Sequence, residues 1–207
     1  MRALFVAWAW RSHYYPLVPF GWALRAAGHE VLVASHPSFA PIITGSGLPA
    51  LPVGDDIDVK ARATTAFSTW RPPPAPSAEH RPLPTTRTRG LGALRLAAES
   101  ADSMADDAYG FAERWRPDVV VYEPMALLGP LLASHLGVPA LRLPWGVDFG
   151  RSVVQAREEL LGALAHRMGT DHYEVLGDVT LDPCPPSLQV DQKDVVRRPM
   201  RYVPYNG

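Results

Sequence analysis

The sequence has one cysteine, almost no net charge and no long apolar run, and each absence excludes a class of protein. Cys184 cannot form an internal disulfide, which is typical of a reducing cytoplasm. The 20 basic and 21 acidic residues give a net charge of -1, which disfavours nucleic acid as a partner. No stretch approaches the ~20 apolar residues of a membrane span, and the N-terminus lacks a secretory signal. We therefore expect a soluble cytoplasmic protein without nucleic-acid or membrane partners.

Glycine is missing from the place where nucleotide-binding α/β domains need it. A G-x-G-x-x-G loop after the first strand lets a pyrophosphate approach backbone N–H groups. Here that loop carries large side chains, among them Trp8, Trp10 and Tyr15. The sequence also has no Walker-type lysine loop and no metal-ligand spacing. Aromatic rings beside one imidazole suit an apolar or hydroxylated ligand better than a phosphate.

Strand and helix patterns alternate along the chain, beginning with a β-α-β unit. Residues 2–8 are strand-like, a helical pattern runs from Pro16 to the stop at Gly28, and residues 30–35 are apolar again. The later predicted elements are a short helix over 37–46, a strand over 50–53, helices over 91–115, 126–136 and 152–168, strands over 118–122 and 139–143, and extended pieces at 179–181 and 200–203. This order predicts an α/β fold with a Rossmann-like, doubly wound, mostly parallel sheet.

Between these elements, residues 54–90 form a long proline-rich loop. Prolines at 72–74 and at Pro82 and Pro84 exclude both helix and central strand. Such a loop is either a lid over a ligand or a disordered excursion, and the residue pattern leaves both open.

Polar residues follow several predicted strands and should meet at one edge of the sheet. His13 follows the first strand, His36 the second and Glu123 the central one. An imidazole in a cleft can accept a proton from a substrate hydroxyl near neutral pH. Position alone allows either a catalytic histidine or a loop histidine bonded to backbone or water at position 13.

Residues 2–56 combine a strand, a His-x-x-Pro loop at 13–16 and the helix exit Ala-Leu-Arg-Ala-Ala-Gly-His-Glu-Val at 23–31. With 117–124, 182–188 and 200–207, this pattern resembles the N-terminal domain of GT-B glycosyltransferases that attach deoxysugars to macrolide, polyketide and enediyne natural products. The resemblance implies that 1–207 is the acceptor-binding half of a GT-B architecture, that 183–207 leads to the interdomain linker, and that the C-terminal nucleotide-sugar domain is absent from this chain.

The resemblance also implies a reaction and its partners. The acceptor would be a hydroxyl of a hydrophobic natural product, which attacks the anomeric carbon of a nucleotide-activated sugar with inversion at that carbon. The donor would be a TDP-deoxysugar held mainly by the absent domain. No cofactor or metal is expected, and a homodimer or a helper protein is left open. The alternative is a non-catalytic module that binds a small molecule or a partner. A Rossmann-type oxidoreductase is disfavoured by the missing glycines.

The catalytic pair follows from the same resemblance, whereas the acceptor-binding residues are predicted because flat apolar side chains bind polyketide rings and because His36 follows the second strand. His13 matches the family's general base, and Glu123 matches the carboxylate that orients it, although related enzymes often carry aspartate in a comparable position. The expected acceptor-binding residues are Tyr14, Trp70, Met125, Trp145 and His36. His36 is also compatible with a capping or surface role.

Overall fold

The computed structural model describes residues 1–59, 61–62, 89–170, 172–190, 192 and 194–207. Most of the proline-rich segment over 54–90, with Trp70, lies outside the described residues, so the choice between a lid and an excursion stays a prediction. No helix among the described residues is long and apolar enough to cross a membrane.

The described residues form a seven-stranded sheet in which every neighbouring pair is parallel. The predicted α/β, doubly wound sheet is confirmed. The strands run in the order β3-β2-β1-β4-β5-β6-β7. They are β1 (Arg2–Val6), β2 (Glu30–Ser35), β3 (Ala50–Pro52), β4 (Val119–Tyr122), β5 (Ala140–Arg142), β6 (Val179–Asp182) and β7 (Arg197–Pro199).

Helices cover both faces of this sheet. They are α1 (Arg11–Tyr14), α2 (Val18–Ala26), α3 (Ala40–Gly45), α4 (Arg89–Trp115), α5 (Leu128–Leu136) and α6 (Val154–Arg167), with 3₁₀ turns at Tyr15–Leu17, Pro37–Phe39 and Gly150–Val153. Alternate residues of β1 enter opposite cores, because strand side chains point to opposite faces. Leu4 packs with α4, α5 and α6, whereas Phe5 packs with the elements around α2 and α3.

Two local predictions differ from the structure. The loop after β1 contains the helical turn α1, which the notably polar and aromatic sequence of residues 10–15 did not indicate. The extended piece predicted at 200–203 is wrong, because the last strand is Arg197–Pro199. Its neighbour β6 ends at Asp182, just before Pro183, so pairing stops after the backbone N–H of Met200 donates to the Asp182 carbonyl oxygen at 2.8 Å.

The reversal of strand order falls between β1 and β4. From this pair the sheet grows outward in one direction to β2 and β3 and in the other to β5, β6 and β7. Loops leaving the carboxyl ends of two such strands diverge to opposite faces and leave a crevice, which is where open α/β sheets bind ligands. The segments that follow β1 and β4 therefore border the most favourable ligand position of this fold.

Candidate active site

His13 and Glu123 meet at this crevice. His13 lies in α1, immediately after β1, and Glu123 directly follows β4. The Nδ1 atom of His13 is 3.1 Å from Oε2 of Glu123. A carboxylate only accepts, so Nδ1 donates and Nε2 keeps its lone pair. The His13 side chain is 17% exposed while that of Glu123 is fully buried, so the histidine is the member of the pair that can reach a ligand.

Glu123 is held by a set of N–H donors that suit a buried anion. Besides His13, its Oε2 accepts from the backbone N–H of Met125 at 2.8 Å and from the indole N–H of Trp145 at 3.0 Å. Its Oε1 accepts from the backbone N–H of Trp8 at 3.3 Å. A buried carboxylate without such donors would cost several kcal/mol to desolvate, roughly. These donors fix the carboxylate and give the imidazole an oriented partner.

Two tryptophan rings enclose the imidazole of His13. The ring of Trp8 meets it edge-on with centroids 5.1 Å apart, and the ring of Trp145 lies 4.5 Å away at a tilt of 49°. Together with the bond to Glu123, these contacts leave the ring few orientations. The geometry aims Nδ1 at Glu123 and leaves Nε2 without a hydrogen-bond partner among the described residues.

Apolar surface borders the pair on two sides. On one side, Trp8, Val59 and Leu96 form a small buried cluster. Met125 and Trp10 pack against this cluster and remain partly exposed. On the other side, a cavity of about 240 Å³ adjoins Trp145, which is 42% exposed. The cavity is also lined by Pro16, Pro19, Phe20, Ala23, Pro183, Met200, Arg201, Tyr202 and Val203. Such surfaces suit a large ligand with apolar rings.

Comparison with known proteins assigns the chain to a family. The model described as "Erythromycin biosynthesis protein CIII-like, N-terminal domain" matches residues 22–207. This chain belongs to that family. The chain is 39% identical over its whole length to the 10-deoxymethynolide desosaminyltransferase of Streptomyces venezuelae and 38% identical to the tylactone mycaminosyltransferase of Streptomyces fradiae. It covers 54% and 52% of these relatives, so the chain spans about half the length of the curated relatives it matches.

Solved GT-B glycosyltransferases share the fold of this chain. The glycosyltransferase SsfS6 of Streptomyces sp. SF2575 has a TM-score of 0.78 at 32% identity, with all of this chain and 56% of that chain covered. The spinosyn rhamnosyltransferase SpnG in complex with spinosyn aglycone has a TM-score of 0.74 at 31% identity, with all of this chain and 51% of that chain covered.

The fold brings three of the predicted site residues together with His13. Glu123 and Trp145 contact the imidazole, and Met125 binds Glu123 through its backbone while its side chain lies on the apolar rim. Trp70 is outside the described residues.

Tyr14 is a correction to the predicted acceptor wall. Its side chain is fully buried in the core that contains Phe39 and Leu17, and its hydroxyl lies 2.6 Å from the hydroxyl of Ser46. Burial raises the pKa of this phenol to about 12. Because α1 turns successive side chains by about 100°, His13 faces the crevice and Tyr14 next to it faces the core.

His36 is likewise buried rather than exposed on the rim. Its Nδ1 donates to the carbonyl oxygen of Asp55 at 2.9 Å, and its Nε2 accepts from the hydroxyl of Ser100 at 2.6 Å. Burial lowers the pKa of its imidazole, so the neutral form is favoured. His36 joins the end of β2 to α4 and offers no surface to a ligand in this structure.

The sequence analysis did not predict the ion pairs that hold the loop carrying Trp145. Arg142, fully buried at the end of β5, binds Asp148 with two nitrogens at 3.1 and 2.6 Å. Arg197 of β7 binds Asp148 at 2.9 Å and Asp182 at 2.7 Å. These ion pairs hold the loop that carries Trp145. A buried arginine inside a strand was the available signal, because an unpaired charge is seldom buried.

Proposed function

We propose that this chain is the acceptor-binding domain of an inverting glycosyltransferase that transfers a deoxysugar from a nucleotide sugar to a hydroxyl of a hydrophobic natural product. The paired His13 and Glu123 at the crevice carry this proposal, since they supply an oriented base beside apolar surface. The relatives' names support the same reaction class, because they include desosaminyl- and mycaminosyltransferases.

In the proposed reaction, the acceptor hydroxyl gives its proton to Nε2 of His13 as its oxygen attacks the anomeric carbon of the sugar. The new bond between this oxygen and the anomeric carbon replaces the bond to the nucleotide diphosphate, which leaves with the bonding electron pair. The imidazolium that forms is stabilised by the Glu123 carboxylate, to which Nδ1–H already donates. Removing the proton as the bond forms avoids a free alkoxide, and such catalysis contributes roughly 10²–10⁴-fold.

The donor would be a TDP-deoxysugar. The first strand's loop lacks the glycines that a diphosphate needs, which supports a donor site mainly in a second domain. A solved relative, the glycosyltransferase VinC, is described in complex with dTDP. In the proposal, the part of the chain described here binds and orients the acceptor and moves its proton, and it binds no metal.

A two-part experiment tests this function. First, the purified chain is titrated with 10-deoxymethynolide and tylactone by equilibrium dialysis, and we expect saturable binding without any transfer. Second, the chain is joined to the C-terminal half of the 10-deoxymethynolide desosaminyltransferase and supplied with TDP-desosamine, and we expect glycosylated product. Binding without product in an intact, dTDP-binding fusion that is supplied with any helper protein its parent transferase requires favours the non-catalytic module, and absence of aglycone binding rejects an acceptor site for these macrolactones.

A further inference from the structure

Trp145 makes two contacts that a simple ligand wall would not need. Its indole N–H donates to Oε2 of Glu123 at 3.0 Å, and its ring lies against the imidazole of His13 with centroids 4.5 Å apart. The same Oε2 accepts the Nδ1–H of His13 at 3.1 Å. Trp145 therefore touches both members of the pair and shares one oxygen with His13.

This oxygen is crowded with donors. His13, Trp145 and the backbone N–H of Met125 all lie within hydrogen-bond distance of it. A carboxylate oxygen has two in-plane lone pairs, so three donors must share its negative charge. The negative charge of Glu123 that acts on His13 therefore depends on the hydrogen bond that the Trp145 indole N–H makes to the same oxygen.

The loop that carries Trp145 is held by ion pairs of Asp148. Asp148 is bound by Arg142 and Arg197, and its backbone N–H donates to the side chain of Gln189 at 2.9 Å. Only Gly146 and Val147 lie between Trp145 and Asp148, so these contacts fix the backbone close to the indole. The partly exposed side chain of Trp145 therefore starts from a fixed stretch of backbone next to the pair.

We infer that Trp145 is a positioning residue for the His13–Glu123 pair, and that its indole N–H shares the negative charge on the Glu123 oxygen that faces His13. The inference rests on the proposed role of His13 as base. Without the indole N–H, the charge on Oε2 is less shared, so the protonated imidazole is better stabilised and protonation begins at higher pH.

Other charged groups near the His13–Glu123 pair are the same in the wild type and in variants at Trp145. Arg157 of α6 is buried and interacts electrostatically with Glu123, and it is unchanged by substitutions at Trp145. Arg11, on the same helical turn as His13, is exposed to solvent.

The test is an NMR titration of the His13 ring in the 207-residue chain, without acceptor or donor. Trp145→Phe keeps a ring beside the imidazole but removes the N–H, and we expect the midpoint to move up by about 0.5 pH unit or more. Trp22→Phe is the matched control, because Trp22 is 40% exposed and its indole donates to the Ser46 carbonyl at 2.8 Å, away from the pair. We expect no change there.

The expected shift of the His13 midpoint requires the Glu123 carboxylate. In a Glu123→Gln background, Trp145→Phe should leave the His13 midpoint unchanged. A midpoint that is the same in the wild type and Trp145→Phe overturns the inference, and so does a shift that persists without the Glu123 carboxylate, since ring packing alone would then explain it.

A second measurement uses the unmodified chain and tests the inference even if Trp145→Phe does not fold. The indole N–H resonance of Trp145 in the unmodified chain should follow the same titration curve as the His13 ring. A resonance that stays constant across that curve contradicts the inference. Failure to bind or glycosylate an aglycone would reject the proposed function and leave this result intact.

Discussion

His13 and Glu123 are 110 residues apart in the chain and 3.1 Å apart in space. Their meeting follows from the strand order, because β1 and β4 are neighbours although strands β2 and β3 and helices α1 to α4 lie between them in sequence. Phe5 pairs with Val121 and Val6 with Tyr122, so the two strands end at the same level. The residues that follow them are thereby brought to one point of the crevice.

Replacement of His13 by alanine tests the base directly. In a polypeptide that contains this domain and a nucleotide-sugar domain, we expect kcat to fall by roughly 10²–10⁴-fold. Acceptor affinity should stay within a few-fold, because the apolar surfaces are untouched. Steady-state kinetics and equilibrium dialysis measure the two effects, and Ser12→Ala in the same exposed helical turn is the control. Equal losses in turnover and affinity would indicate a binding role for His13.

The length of the Glu123 side chain is a second test. The glutamate reaches His13 here, so Glu123→Asp should retract the carboxylate and break the 3.1 Å contact. Hydrogen bonds to charged groups contribute about 1.5–3 kcal/mol, which corresponds to a loss of about 10–100-fold in kcat. Measurement of kcat for Glu123→Asp and Glu123→Gln checks this. An aspartate variant as active as the wild type would mean that the pair is not needed in turnover.

The Arg142–Asp148 pair should stabilise the fold strongly. Both side chains are almost fully buried, and removal of one partner from such a pair costs about 3–5 kcal/mol. We expect Asp148→Asn, which leaves the buried Arg142 without its anionic partner, to lower the free energy of unfolding by this amount in urea titrations. Arg151→Met, which breaks the exposed pair with Asp194, should change it little. Similar losses in both variants would contradict the argument from burial.

His36 should make stability depend on pH. Burial lowers the pKa of its imidazole in the folded state, so the neutral form is stabilised by folding. This contribution is present above the unfolded pKa of about 6.5 and is lost as the pH falls through the lower folded pKa. Urea titrations between pH 8 and pH 5 should show a fall in stability that His36→Asn flattens. The exposed His166, replaced by Gln, is the control and should leave the fall unchanged.

Local patterns predicted the fold well because burial on both faces gives the strands continuous apolar runs. Residues 118–122 read as a strand and β4 is entirely buried. The pairing of His13 with Glu123 came from resemblance, and their distance depends on strand order, which the residue pattern does not carry. Tyr14 shows the remaining limit: neighbours in a helical turn face different ways, and only the packing against Phe39 and Ser46 fixes which one is buried.

Gly54 tests the packing at the point where the chain leaves the sheet. Its φ of +69° favours glycine, and a Cβ there would meet the carbonyl group of Ser103 and lie 2.8 Å from Cα of Met104 in α4. Gly28 separates conformation from contact, because its φ is +82° and a Cβ would meet nothing within 4 Å. We expect Gly28→Ala to cost about 1–2 kcal/mol in urea titrations. Gly54→Ala should cost clearly more, since the backbone of α4 cannot move aside as a flexible side chain could. Equal losses would mean that α4 yields to the added methyl group and does not fix residue 54, whose N–H donates to Asp107.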